Sequence, residues 1–256
     1  MFAWLQNLVT PRPIPDALWQ PTLAQYPFLK ARPDQDVVRL LALSARFSAH
    51  KQFSGAHGLV VTDAMAIAIA AQACLPILNL SLSLYDDFKG IVVHPGPMLA
   101  RRSSIDAAGV HHFYQEALIG EAMQGGPVTL SWPDVAASPE HAWCGYNVVI
   151  HEFAHKLDMH SSAWGVPNGC PPLPGHIPRA RWQDAMQTAF AVFKDKVVMA
   201  ARFGAPPPWL DAYGATSAAE FFAVATEAYF VNPARFAYEF SAVNMLFNAY
   251  FGQRKP

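Results

Sequence analysis

Apolar positions along the chain fall into long blocks of helical spacing, separated by stretches dense in proline and glycine. Between Asp36 and Phe53, Val37, Leu40, Leu41, Phe47 and Phe53 have the spacing of a buried helix face, and Gly55 and Gly58 break the run. Thr62-Asp63 reads as the cap of an alanine-rich segment. Ala64 to Leu84 carries no charge and is long enough to span a bilayer, yet Gln72, Asn79, Ser81 and Ser83 lie within it. A buried helix entering a loop at Pro76 is the better reading. Arg179 to Phe203 predicts a helix with Trp182, Met186, Phe190, Phe193 and Val197 facing inward, stopped by the run Gly204 to Trp209. Another helix starts at Thr216 or Ser217 and ends before Asn232-Pro233.

Two runs read as strands. Gly90 to Pro95 is short and apolar; Gly126 to Trp132 alternates, with Val128, Leu130 and Trp132 on one face. Pro127 gives the second run the character of an edge strand, to which a substrate backbone could add. Arg101 to Gly109 is polar and loop-like, and Gly165 to Pro178 is a Pro/Gly loop. Residues 1–35, with six prolines, predict an irregular arm anchored by Trp4, Trp19, Tyr26 and Phe28. The expected architecture is α+β: the arm, then one domain over residues 36–256, mainly helical with a small mixed sheet.

The central helix changes the picture from fold to chemistry. No Gly or Pro interrupts Tyr146 to Ser162, Asn147 reads as the N-cap, and the segment contains His151-Glu152-Phe153-Ala154-His155. Histidines four apart share a helix face, so His151 and His155 can bind one metal ion side by side. Glu152 lies about 100° around the helix. From there its carboxylate can take a proton from water whose pKa a metal such as Zn²⁺ has lowered.

A third ligand is needed. The position three after His155 is Asp158 rather than the glycine of the extended zinc motif, and His160 falls out of register. An acidic residue on a later helix is therefore expected. Glu220 and Glu227, two turns apart among apolar residues, are the candidates, since a buried carboxylate requires a strong partner. Glu220 has a blander reading as the acid of a Ser217 capping box. Glu227 could orient His155 from behind or pair with a cation, and Asp158 has the same two readings.

Composition sets the limits. Of 256 residues, 52% are hydrophobic and 14% charged, which excludes a disordered chain. A net charge of −1 gives no argument for nucleic acid or an anionic membrane surface. Cys74, Cys144 and Cys170 are odd in number and far apart, as in a cytoplasmic protein with reduced thiols, and the first residues make no convincing signal peptide.

The segments H-E-F-A-H-K-L-D-M at 151–159 and Y-G-A-T-S-A-A-E-F-F-A at 213–223 resemble the Mlc titration factor A family of bacterial zinc peptidases. More distantly they resemble the catalytic domain of anthrax lethal factor. Residues 58–75 and 128–132 are similar to the same bacterial family; the proline-rich arm has no such motif. The resemblance implies a zincin-like fold of the gluzincin type, with His151, His155 and Glu220 as zinc ligands and Glu152 as general base. It also implies that Tyr213 is a hydrogen-bond donor to the reaction's oxyanion; otherwise Tyr213 is a residue packed at a helix entrance. The expected activity is hydrolysis of a peptide or protein substrate, aminopeptidase-like on short substrates, with a glucose-responsive repressor of the Mlc type as a partner. The alternative is a non-catalytic protein that sequesters a transcription factor, its zinc structural or vestigial.

Overall fold

The computed structural model describes residues 11–105, 111–118, 120–160 and 166–252, and over 98–105 and 111–118 the backbone alone. Ten α-helices and six strands are formed among the described residues. Helix α1 (Asp16–Gln25) and the one-turn α2 (Pro27–Lys30) bury Trp19, Leu23, Tyr26, Phe28 and Leu29. Of the prolines read as signs of an irregular arm, Pro15 precedes α1, Pro27 opens α2 and Pro33 precedes the next helix, positions where a missing N–H does no harm, while Pro21 lies inside α1. Trp4 lies outside the described residues.

Helix α3 (Asp34–His50) ends three residues before Phe53, because Gln52–Gly55 pairs as strand β1. Helix α4 (Asp63–Cys74) is the alanine-rich segment, capped by Thr62, whose hydroxyl accepts the Met65 N–H at 3.3 Å. It ends two residues before Pro76, and no helix among the described residues is long and apolar enough to cross a membrane.

A four-stranded mixed sheet runs in the order β1, β2 (Gly90–His94), β6 (Val128–Ser131), β5 (Gly120–Ala122). The first three strands are parallel; β5 runs antiparallel to β6, with Gly120 opposite Leu130 and Ala122 opposite Val128. The run predicted as the edge strand is thus interior, and the edge beside the central helix is the three-residue β5. Residues 101–105, expected to be loop, belong to β3 (Met98–Ile105), which pairs antiparallel with β4 (His111–Leu118). Trp132 ends no strand but opens α5 (Trp132–His141), with Pro133 in its first turn.

The central helix α6 (Val148–Met159) lies between the sheet and α8 (Ala218–Val231), and α7 (Arg179–Phe203) packs outside α8. On α7, Trp182, Met186 and Phe193 are buried; Phe190 and Val197 are partly so. The chain closes with α9 (Pro233–Glu239) and α10 (Ser241–Phe251). Two aromatic clusters fix α6 and α8. Phe153 contacts the rings of Tyr85, Phe47 and Phe88 at 5.0, 5.7 and 5.9 Å between centroids. Phe222 meets Trp182 and Phe247 at 6.1 and 5.8 Å, and Trp182 stacks on Phe247 at 5.7 Å. Truncating such a buried ring typically costs about 3–5 kcal/mol.

Candidate metal centre

Asn147 sets the entry of α6. Its side-chain oxygen accepts the Ile150 N–H at 2.9 Å, and its amide group donates to Gln72 Oε1 at 2.7 Å. Gln72, a polar residue inside an apolar helix, is thereby accounted for. Just upstream, Gly145 has φ +83°, and a Cβ there would lie 2.9 Å from the Cβ of Ala228. Glycine is needed on both counts, and the α6 entrance can close onto α8.

On α6 the two imidazoles point the same way, with Nε2 atoms 3.2 Å apart. From α8, Glu220 Oε2 lies 3.1 Å from His151 Nε2 and 3.2 Å from His155 Nε2. Half of the capping box exists: Ser217 Oγ accepts the Glu220 N–H at 3.1 Å. The Glu220 carboxylate, however, is turned onto the histidines rather than back along its own helix. Exposed His160, at the C-terminal end of α6, is not part of this cluster.

The three atoms form a near-equilateral triangle, and its edge matches the ~3.3 Å expected for donors at ~2.0–2.1 Å around a tetrahedral ion. The hydrogen bonds behind the triangle support the same use. His151 Nδ1 faces Glu227 Oε1 at 2.7 Å; with Nδ1–H donating to that carboxylate, a metal bound at Nε2 would meet the neutral Nδ1–H tautomer. Glu227 Oε2 also accepts the Asn147 N–H at 2.5 Å, so one buried carboxylate ties His151 to the helix cap. Glu227 therefore supports His151, not His155 as the spacing suggested. Asp158, expected in a similar capacity, accepts the Gly169 and Cys170 N–H groups at 2.6 and 3.0 Å and holds the loop after α6. Among the described residues His155 Nδ1 is buried without a hydrogen-bond partner.

A model of the glucose-regulated metallo-peptidase M90 family matches residues 2–252. The chain belongs to that family. The match includes most of the proline-rich N-terminal stretch, for which the sequence offered no motif. The M90 chain is also 33% identical over 233 residues to Mlc titration factor A of Edwardsiella ictaluri, covering 91% of this chain and 86% of that protein. It is 33% identical over 243 residues to the protein of that name in Salmonella arizonae, covering 93% and 91%. To that of Serratia proteamaculans it is 31% identical over 253 residues, covering 99% and 93%. Membership of a metallopeptidase family implies a metal cofactor, and among the described residues His151, His155 and Glu220 bring three ligand atoms close enough together that they could hold one.

Burial alone would push the His151 imidazole down, but the Glu227 and Glu220 carboxylates together hold it well above its ordinary value. Glu220 resists its own desolvation and drops to about 2 because both histidines bond to it. Glu152, buried on the same helix, is pushed up from the usual carboxylate range by desolvation, against the pull of His151 and His155. Tyr213 sits in a 3-10 turn (Ala212–Ala215) just ahead of α8, half-exposed, its ring centroid 6.2 Å from that of His151. A cleft of about 330 Å³, lined in part by Tyr146, Trp209, Asp211, Val224 and Glu227, opens beside the cluster. Sequence reasoning noted Gln72 but not its bond to Asn147, and missed the pairing of Glu227 with Asn147. An uncharged polar side chain in an otherwise apolar helix was the available signal for the first.

Proposed function

We propose that the chain is a zinc-dependent peptidase in which His151, His155 and Glu220 hold the metal. The triangle of Nε2, Nε2 and Oε2 atoms, with Glu227 fixing the His151 tautomer, is the observation that carries this reading. Two nitrogens and one oxygen at this spacing suit Zn²⁺ better than the harder, all-oxygen-seeking divalent ions. When bound, such an ion supplies Lewis acidity toward a peptide carbonyl and toward water. Glu152 accepts the proton of the attacking water and passes it to the departing amine. Half-exposed Tyr213, its ring beside that of His151, donates its hydroxyl hydrogen to the carbonyl oxygen as charge grows there. The outer edge of β5, beside α6, offers backbone groups along which an extended peptide lies. We assign the activity to short substrates, aminopeptidase-like, in the cytoplasm, a compartment in keeping with three free cysteines.

The relatives' name, Mlc titration factor A, favours a second reading in which the chain binds a repressor of the Mlc type and no bond is cut. Metal analysis with peptidase assays on wild type and Glu152→Gln separates the two. The peptidase reading expects both proteins to hold one zinc and the variant to lose about a hundredfold or more in turnover. Equal turnover by both would leave the binding role alone.

A further inference from the structure

Gly120 has no conformational reason to be glycine. It lies in a regular strand register opposite Leu130, and its φ is outside the left-handed region. Glycine weakens a strand and often marks a place where another group approaches the backbone closely. Here that group is Glu152: a Cβ on Gly120 would fall 2.3 Å from Glu152 Oε1, 2.7 Å from its Cγ and 2.8 Å from its Cδ. Three side-chain atoms, not the tip alone, occupy the volume a methyl group would need, and Glu152 is itself buried.

The strand is not free to retreat. Beyond it the chain turns through Met123 to Gly126 into β6, and Lys156 of α6 reaches this turn. Its fully buried ammonium donates to the carbonyls of Met123 at 2.5 Å and Gly126 at 3.1 Å. Asp87 Oδ2 lies 3.3 Å from the same Nζ, and the Phe88 ring 4.5 Å away. Lys156 is four residues after Glu152, so both side chains project from the same side of α6, one turn apart. One holds the hairpin turn while the other packs under the hairpin's first strand.

We propose that Gly120 and Lys156 are positioning residues for Glu152: Lys156 anchors the β5–β6 turn on α6, and Gly120 leaves the slot in which the carboxylate is held. The effect on turnover rests on the peptidase reading; the effect on the position of Glu152 does not. The test is the zinc-loaded Gly120→Ala protein, compared with wild type by crystallography, zinc content and steady-state kinetics. The Glu152 carboxylate moves by about 1 Å or more, zinc stoichiometry is unchanged, and kcat falls about a hundredfold while KM holds. A carboxylate that stays within about 0.5 Å of its wild-type place overturns the proposal. So does a displaced carboxylate with undiminished kcat in an active enzyme. Displacement in a protein whose wild type has no turnover supports the positioning role and removes the peptidase reading instead.

Lys156→Met supplies a measurement that survives if Gly120→Ala does not fold. Amide hydrogen exchange over residues 120–126 should quicken about tenfold while that of Val148–Met159 is unchanged. Equal exchange over 120–126 in both proteins overturns the anchor.

Discussion

Glu220 and Glu227 are two carboxylates on one helix with separate tasks. The first contacts both imidazoles through one oxygen; the second touches only His151, from behind, and the cap of α6. Glu220→Gln is therefore expected to weaken zinc affinity by about a hundredfold or more, since even a supporting residue is typically worth 10–100-fold. Glu227→Gln should weaken it by about tenfold, because its amide can still accept from His151 Nδ1. Competition with a chromogenic chelator measures both; the reverse ranking would transfer the ligand role to Glu227. Tyr213→Phe removes one hydroxyl and should lower kcat by about a hundredfold with full zinc content, which single-turnover assays of the loaded protein would show. At this scale the sequence was informative where helix geometry constrains side chains: residues four apart must converge, so His151 and His155 were legible. It pointed Glu227 to His155 rather than His151, because that choice depends on how α8 lies against α6, which helical spacing within either helix does not carry.

Among the elements, helices with chemical punctuation were read to within a residue or two. Thr62, Asn147 and Ser217 each cap the helix predicted for them, and Gly204 ends α7. Elements without such marks were missed. Arg101-Arg102-Ser103-Ser104 has no β-branched or aromatic residue to suggest a strand, and is one because β4 pairs with it. Strand β5 is Gly-Glu-Ala, a sequence with no strand propensity, and is a strand because β6 pairs with it. The junction of α3 and β1 shows a cation in an unusual place. Buried Lys51 donates to the carbonyls of Tyr85 and Phe88, with the Phe88 ring 3.8 Å from its Nζ. Desolvation lowers its pKa from 10.5 to about 8, although Asp86 and Asp87 pull the other way. Between those values the unfolded chain binds more protons at this site than the folded one, so stability gains a contribution that rises with pH from about 8 to 10.5. Lys51→Met should lose that rise. The urea midpoint of wild type should rise relative to that of Lys51→Met as pH goes from about 8 to 10.5; parallel curves, or a fall, would show that Lys51 does not titrate there.

For the whole molecule the question is whether the metal centre holds the fold together or the fold holds the centre. The aromatic packing argues for the second. Phe153 locks α6 through Tyr85, Phe47 and Phe88, while Phe222 locks α8 through Trp182 and Phe247. These contacts lie on faces of α6 and α8 other than the one bearing the ligand atoms, and a chain of this length buries a core large enough to stand without a metal. His155→Ala is the cleaner test than His151→Ala, because removing His151 would leave buried Glu227 without its ring partner, whereas His155 Nδ1 supports nothing among the described residues. The His155→Ala protein should keep its helical circular dichroism and a single cooperative unfolding transition, yet bind no stoichiometric zinc. Wild type should then gain stability with free zinc, by about 4 kcal/mol at a thousand times Kd, and the variant should gain none. Denaturation at several buffered zinc concentrations reads out both slopes. A variant that unfolds on losing the metal would mean that the ion closes the gap between α6 and α8, and that the rings do not.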